Sequence, residues 1–184
     1  VSISLDGSII AIGIKNSTTT NGTESGEVKV YQDVSGTWTQ LGNSILGDDS
    51  NYNLGYSVSL SGNGQLISVG AYNADYMDTN SGQVTVYKYI SGTNTWDKLG
   101  NDIYGYESNE QFGSTVMISK DGSTIVSGSW NSDIGGTDTG YVKVFKFLDG
   151  YWKQIGRKII GENSNDKLGF AISINTDGSI IAVG

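Results

Sequence analysis

The sequence repeats itself in register, and this repetition restricts the fold more than any other feature. Trp38, Trp96 and Trp152 lie 58 and 56 residues apart. A turn of Asp-Gly or Asn-Gly keeps step with them at residues 6–7, 63–64, 121–122 and 177–178. A repeated unit of this kind has to stack on its neighbours to bury its apolar face. The repeat therefore predicts a tandem array of similar small sheets.

Each repeat contains four short segments that are typical of antiparallel β-strands. In the third copy, 114–119 and 123–129 flank a Gly-containing turn, and 140–148 and 151–159 flank another. Short β-branched runs around such turns indicate hairpins. The corresponding segments of the other copies are 56–61, 65–71, 82–90 and 95–103, and 26–34 with 37–46. No stretch has apolar residues at helical spacing, so we expect essentially no helix.

Four antiparallel strands repeated in tandem predict an all-β fold, a β-propeller segment built from four-stranded blades. A threefold fold of the β-trefoil type is the alternative. The hairpin pattern of 1–13 returns at 172–184, which favours a propeller of about three and a half blades, because a closed trefoil would not repeat its opening hairpin. The predicted segment is 1–184, with units of about 1–55, 56–113, 114–169 and a partial 170–184.

The pattern also predicts what packs between the sheets. The repeated Trp is expected to act as a wedge between neighbouring blades. The apolar side chains expected at the sheet interfaces are Val58, Leu60, Val116, Ile118, Ile172 and Ile174. Propellers of known type have about four to eight blades. We therefore expect further blades, from the same or another chain, to complete the ring.

Composition excludes several functions. The net charge of −8 argues against binding to nucleic acid, which requires Lys and Arg at the phosphates. No apolar run is long enough to span a bilayer, so no membrane insertion is expected. The chain contains no His and no Cys, which are the usual residues of acid–base and nucleophilic catalysis. On these grounds the sequence predicts that the protein is not an enzyme.

One motif resembles a known family. Phe112-Gly113 is followed by Gly128-Ser129-Trp130, and Leu54-Gly55 by Gly70-Ala71-Tyr72. This pattern resembles the FG-GAP repeat of integrin α-subunit propellers, and the Trp-x-Gln-Leu-Gly segment that begins at Trp38 is similar to FG-GAP-like repeats of secreted microbial and viral proteins. The Pro of the family signature is missing throughout.

The resemblance implies a location and a function. It implies an extracellular, cell-surface or virion-surface module that is not catalytic. Such a module would bind a protein or glycan, mediate adhesion, or take part in an assembly. The alternative is a carbohydrate-active enzyme or a calcium-dependent lectin-like domain.

Two sets of loop residues are candidates for binding. The long loops 72–81 and 130–139 combine aromatic and acidic side chains, which can stack on a sugar and bind its hydroxyls. The ligand-binding candidates are Tyr72, Asp75, Tyr76, Asp78, Trp130, Asp133 and Asp138. Packing within the loops is the competing interpretation for these residues.

A calcium site is the only cofactor prediction. Carboxylate and amide oxygens are the ligands that Ca²⁺ prefers. They are best represented in the third copy of the loop that joins successive blades, at Glu162, Asn163, Asn165 and Asp166. The competing interpretation is a structural turn, since Asn and Ser readily cap local backbone groups.

Overall fold

The computed structural model describes residues 1–184, and its only regular elements are sixteen β-strands. They are β1 (Ser2–Ile3), β2 (Ile9–Ile14), β3 (Glu27–Val34), β4 (Thr37–Gln40), β5 (Ile45–Leu46), β6 (Ser57–Leu60), β7 (Leu66–Ala71), β8 (Gln83–Ile90), β9 (Thr95–Lys98), β10 (Ile103–Tyr104), β11 (Thr115–Ile118), β12 (Thr124–Ser129), β13 (Tyr141–Leu148), β14 (Tyr151–Ile160), β15 (Ile172–Ile174) and β16 (Ile181–Val183). The absence of helix agrees with the sequence-based prediction. No helix is present that could span a membrane.

The strands form three antiparallel sheets and a terminal hairpin. The first blade has the order β1-β2-β3-β4, the second β6-β7-β8-β9 and the third β11-β12-β13-β14. Strands β15 and β16 form the terminal hairpin. The short strands β5 and β10 pair with β3 and β8, and they continue the outermost strand of their blades after a break. In the third blade the outermost strand is unbroken. The single strand β14 pairs with β13 along its whole length, with a register shift between Val142 and Val144. The predicted β-propeller architecture with four-stranded antiparallel blades is confirmed.

The apolar core lies between the blades. One cluster of buried side chains joins the first blade to the second, and another joins the second to the third. We call these contacts the first interface and the second interface. Of the predicted interface side chains, Leu60, Val116 and Ile118 are buried and Val58 packs against the first cluster. Ile172 and Ile174, in the terminal hairpin, are half-buried.

Glycine explains how the blades approach so closely. Gly13, at the end of β2, lies against the backbone of Gly55, which begins the next blade with φ +86°. A Cβ on Gly13 would overlap the carbonyl oxygen of Gly55. Gly70 and Gly113 make the same contact one blade later. The repeated Gly of the sequence is therefore required where backbones meet and where φ is positive.

The repeated Trp has the same role in both interfaces. Trp96 Nε1 donates to the carbonyl oxygen of Leu41 in the preceding blade at 2.8 Å. Trp152 Nε1 donates to that of Leu99 at 2.9 Å. Both indoles are buried, whereas Trp38 of the first blade is 46% exposed. The wedge role is therefore seen for the two tryptophans that have a preceding blade.

The loops divide between two faces of the propeller. The upper face carries the loops between the second and third strands of each blade, together with the connections between blades. The lower face carries the four Asp-Gly or Asn-Gly turns. There Asp6 accepts hydrogen bonds from Ser4 Oγ and from Ser8 N and Oγ, and these lower the pKa of Asp6 to about 2. The Asp of this turn thus has a structural role that accounts for its repetition.

Candidate functional site

The upper face opens into a cavity of about 480 Å³ at the second interface. We call it the upper cavity. One wall is the connection from the second blade to the third, and the other is the loop between β12 and β13. The lining contains no apolar side chain and consists of Glu107, Ser108, Asn109, Glu110, Gln111, Asn131, Ser132, Asp133, Thr137 and Asp138. Its volume is within the range of small-molecule sites, but its lining is unusually polar.

The upper cavity is acidic. Four of its lining residues are carboxylates, and none is Lys or Arg. Asp138 pairs with Lys167 at 3.5 Å, and Glu110 pairs with Lys143 at the same distance. Glu107 and Asp133 have no ion-pair partner. Asp133 Oδ1 accepts a hydrogen bond from the backbone N–H of Asp138 at 2.8 Å, so Glu107 is the lining carboxylate with neither an ion pair nor a hydrogen bond.

Glu110 holds the wall of the upper cavity in position. Its side chain is 3% exposed. Oε2 accepts the backbone N–H groups of Tyr106 and Glu107 at 2.6 and 2.9 Å, while Oε1 accepts the Tyr141 hydroxyl and faces Lys143. The carboxylate therefore fixes the backbone that carries Glu107 and ties it to β13. These donors replace the hydration that the carboxylate loses on burial.

Lys143 lies beneath this wall in a cage of aromatic rings. Its Nζ is 4.8 Å from the ring centre of Tyr141, 5.1 Å from Phe112 and 5.7 Å from Tyr106. Burial lowers the pKa of Lys143, and the neighbouring Glu110 partly opposes this shift. The rings and Glu110 compensate for the loss of hydration of the ammonium group.

Ser132 is the one lining residue whose buried hydroxyl has no partner. It is 2% exposed, and its Oγ makes no hydrogen bond within the protein. An unsatisfied buried hydroxyl costs free energy, and Ser127 Oγ is a second such group that lies outside the cavities described here. The opposite wall adds a free amide group. Gln111 Oε1 accepts from Asn131 at 2.5 Å, which leaves Gln111 Nε2 without an acceptor.

A smaller cavity of about 220 Å³ lies on the side of the second interface, between the outer strands. Asp102 is its central polar group. Asp102 accepts from Thr85 Oγ1 at 2.6 Å and from Lys98 Nζ at 3.0 Å. Burial and the nearby Asp102 raise the pKa of Tyr104, which also lines this cavity. Because these polar groups bond one another, we assign the side cavity no ligand.

Two of the predicted ligand-binding residues, Asp133 and Asp138, line the upper cavity. The acidic residues predicted in the loop 72–81 instead accept hydrogen bonds from backbone N–H groups of that same loop. Asp75 accepts the N–H of Asn80 at 2.6 Å, and Asp78 accepts that of Thr79 at 2.7 Å.

The aromatic candidates pack against other rings. Tyr72 lies 4.2 Å from Tyr56, and Tyr76 stacks on Tyr104 at 4.2 Å. Trp130 meets the edge of Phe170 at 5.8 Å, and Lys167 Nζ lies 5.2 Å above its indole ring. The structure therefore does not bring these rings together around one space.

The predicted calcium ligands lie in the connection that follows the third blade. Asp166 Oδ2 accepts the backbone N–H groups of Glu162 and Asn163 at 2.9 and 2.7 Å. Asn165 has a positive φ of 69°. Nowhere do three or more acidic side chains gather closely enough to hold a metal ion. The calcium site stays a prediction.

No protein-family model matches the chain, and no curated protein matches it. Solved structures share its fold. A candidate 6-phosphogluconolactonase from Bacteroides fragilis aligns with 89% of this chain, with a TM-score of 0.57 and 14% identity. Another from Bacteroides uniformis aligns with 96%, with a TM-score of 0.59 and 13% identity. The chain spans 39% and 46% of the lengths of these two proteins. At this identity the likeness shows the propeller fold.

These neighbours overturn the prediction of a non-catalytic module. Both bear the name of a 6-phosphogluconolactonase, and these names contradict the prediction that the chain is not an enzyme. It rested on the absence of His and Cys, yet a positioned carboxylate can also act as a general base. The stated alternative, a carbohydrate-active enzyme, agrees better with the findings.

The sequence-based analysis missed one wall of the upper cavity. It named none of Glu107, Glu110, Ser132 and Lys143 among its candidate site residues. A signal was present in the differences between repeats. Tyr52 occupies the position equivalent to Glu110 one repeat earlier, and Thr85 occupies the position equivalent to Lys143. Side chains that differ between otherwise similar copies are not needed for the repeated architecture.

Proposed function

We propose that this propeller is part of a carbohydrate-active hydrolase and that the upper cavity binds a sugar lactone. One observation carries the proposal: a carboxylate without any partner and an amide nitrogen without an acceptor belong to residues that line the same polar cavity. These residues are Glu107 and Gln111. The names of the two fold neighbours supply the reaction class.

The proposed reaction is hydrolysis of the ring ester. A water molecule attacks the lactone carbonyl carbon while Glu107 accepts a proton from that water. The bond between the carbonyl carbon and the ring oxygen then breaks, and the proton passes to the ring oxygen as the open sugar acid forms. The Gln111 amide donates a hydrogen bond to the carbonyl oxygen as it gains negative charge.

Glu110 is a positioning residue in this scheme. It accepts the backbone N–H groups of Tyr106 and Glu107, so it sets the direction of the Glu107 side chain. Lys143 and Tyr141 hold Glu110 from below. A base that is held within a few tenths of an ångström of its working position loses less rate to misalignment.

The test is the initial rate of glucono-1,5-lactone hydrolysis, followed by acid release and corrected for the spontaneous reaction. Removing a general base typically lowers the rate about 10²–10⁴-fold, so Glu107→Gln should lose about that much. Asp49→Asn is the matched control, because Asp49 is the equivalent residue one repeat earlier. It should keep the wild-type rate.

Two outcomes contradict the proposal. One is a folded protein that gives no hydrolysis above the spontaneous rate. The other is equal activity of the Glu107→Gln and Asp49→Asn variants. Binding of the sugar without hydrolysis would favour the calcium-dependent lectin-like alternative.

We also propose that the propeller is of the FG-GAP-like kind, acts outside the cell or on a cell or virion surface, and is completed by further blades. The support is the recurrence of Phe-Gly or Leu-Gly in register, and the contacts of Gly55 and Gly113 with the glycines of the preceding blade. Fractionation of the native source, with antibody detection, tests the location. Recovery in the cytosolic fraction alone would contradict it.

A further inference from the structure

We infer that one side of the first blade is a docking surface for a further blade of the same repeat, carried by the same protein. We call this side the leading face. It is the side that points away from the second blade, and it contains Ile3, Ile14 and Trp38. The inference rests on the proposal that further blades complete the ring, and it does not depend on the proposed hydrolysis.

The leading face exposes apolar side chains whose equivalents are buried in the other blades. Ile3 is 52% exposed, whereas Leu60 and Ile118, one and two repeats later, are buried. Trp38 is 46% exposed, whereas the two equivalent tryptophans are each 4% exposed. Those equivalents are buried against the blade before them. The leading face is therefore the same surface as one half of each formed interface, and covering it would remove apolar area from water.

Trp38 also presents two polar groups that have a fixed partner at both formed interfaces. Trp96 and Trp152 each donate the indole N–H to a Leu carbonyl oxygen of the preceding blade. Each also donates its backbone N–H to an Asn side chain of that blade. In both cases the Leu and the Asn belong to a Leu-Gly-Asn segment. The partner of Trp38 is therefore expected to carry Leu-Gly-Asn after its outermost strand.

A third contact repeats on the upper face. Asn73 Nδ2 donates to Asn53 Oδ1 at 2.8 Å, and Asn131 Nδ2 donates to Gln111 Oε1 at 2.5 Å. Asn16 is the equivalent residue of the first blade, and it is exposed. At both formed interfaces the acceptor lies in the connection that leads into the blade. The same protein is therefore the source of the occupant, since a connected segment also has a high effective concentration at the surface.

A fourth contact repeats on the lower face, between the backbones of successive turns. The N–H of Leu5 donates to the carbonyl oxygen of Gly62 at 2.8 Å, and the N–H of Gly62 donates to that of Lys120 at 2.8 Å. These bonds run from each blade to the next. The carbonyl oxygen of Leu5 is therefore in place to accept the equivalent N–H of a preceding turn.

A second copy of this chain fits the leading face less well. The far sides of its first two blades are covered, so only the far side of its third blade is available. There Ile155-Gly156-Arg157 stands where the first blade has Leu41-Gly42-Asn43. An Arg side chain has donors but no acceptor, so it cannot accept the backbone N–H of Trp38. The terminal hairpin also packs against part of that side.

The experiment compares tryptophan oxidation in this chain alone and in the protein isolated from its native source. Hydroxyl radicals oxidise accessible indoles, and mass spectrometry of the peptides gives a rate for each Trp. In the chain alone, Trp38 should react several-fold faster than Trp96 and Trp152, because it is the exposed one. In the native protein all three should react equally slowly. A Trp38 that reacts as fast in the native protein as in the chain alone would overturn the inference.

Photo-cross-linking identifies the occupant. Trp38→benzoylphenylalanine in the full-length gene should give a cross-link to a Leu-Gly-Asn peptide elsewhere in the same polypeptide. A cross-link to Ile155-Gly156-Arg157 would mean that a second copy covers the leading face, and a cross-link to another protein would mean a foreign partner. In either case completion of the leading face stands and the inference falls. No cross-link within the polypeptide would overturn it too.

Discussion

The first and second interfaces are built from the same parts, yet the upper cavity opens only at the second. Each interface has a Trp whose Nε1 donates to a Leu carbonyl oxygen of the preceding blade. Each also has an Asn side chain that accepts the backbone N–H of that Trp, namely Asn43 for Trp96 and Asn101 for Trp152. The contacts that join blade to blade are therefore common to both.

The difference lies in the upper-face loops. At the first interface Tyr52 stands where the second has Glu110, and its ring packs against the core. Ala74 replaces Ser132, and Thr85 replaces Lys143. The equivalent residues line no comparable cavity. Architecture thus depends on what the repeats share, and the candidate site depends on where they differ.

The largest expected effect tests what the two interfaces share. Trp96→Ala and Trp152→Ala should each lower the free energy of unfolding by about 3–5 kcal/mol, because each removes a buried aromatic side chain. Trp38→Ala should cost less than about 1 kcal/mol, since Trp38 is half exposed. Urea unfolding measures all three. An equal cost for Trp38 and Trp152 would contradict the assigned wedge role.

The next prediction tests how the interfaces differ. Glu110→Gln should lower the free energy of unfolding by about 3 kcal/mol, because it leaves the buried Lys143 ammonium without its counter-ion. Tyr52→Phe, at the equivalent position of the first interface, should cost about 0.5 kcal/mol or less. Adding Lys143→Met to Glu110→Gln should restore part of the loss, because the unpaired charge is removed while the Gln amide has one acceptor oxygen for donors that reach both oxygens of Glu110. A double variant no more stable than Glu110→Gln would show that the ion pair is not the cause.

The stability of Glu110→Gln should depend on pH. Burial already lowers the pKa of Lys143, and Glu110 is the charge that raises it. Without Glu110 the folded-state pKa falls further below the unfolded value of about 10.4, so the folded state binds fewer protons than the unfolded state in that window. Stability should therefore rise with pH towards 10, relative to the wild type. A difference that stays constant from pH 7 to 10 would contradict this.

The smallest expected effect concerns Ser132 and Ala74. Ser132→Ala removes an unsatisfied buried hydroxyl and should raise the free energy of unfolding by about 1 kcal/mol. Ala74→Ser introduces one at the equivalent position and should lower it by about the same amount. Thermal unfolding at constant pH compares the two. A loss of stability in Ser132→Ala would mean that the hydroxyl supports the fold rather than a ligand.

Strand and blade architecture could be predicted because it depends on local patterns. Alternating β-branched residues and Gly-containing turns are read directly from neighbouring residues. The repetition of Trp38, Trp96 and Trp152 then predicts that the blades stack on one another. One detail was missed: the fourth strand of the first two blades is broken, as between β4 and β5, because the chain turns after Leu41 to meet the next blade.

The candidate site could be predicted only in part. Asp133 and Asp138 stood out as acidic residues in a long loop. Glu110 and Lys143 are 33 residues apart, and the contact between them depends on how the second and third blades stack. Ser132 differs from Ala74 one repeat earlier, but only the structure reveals that its hydroxyl has no partner. Burial and pairing across an interface are properties of the assembled fold.

The most direct test exchanges the residues by which the interfaces differ. A triple variant with Glu110→Tyr, Ser132→Ala and Lys143→Thr gives the second interface the residues of the first. Near-ultraviolet circular dichroism establishes that it is folded, and calorimetric titration with gluconolactam measures binding. We predict that the wild type binds the lactam and that the triple variant binds it at least about tenfold more weakly, a loss of about 1.4 kcal/mol. Equal affinity in the folded triple variant would contradict the assignment of the upper cavity as the site.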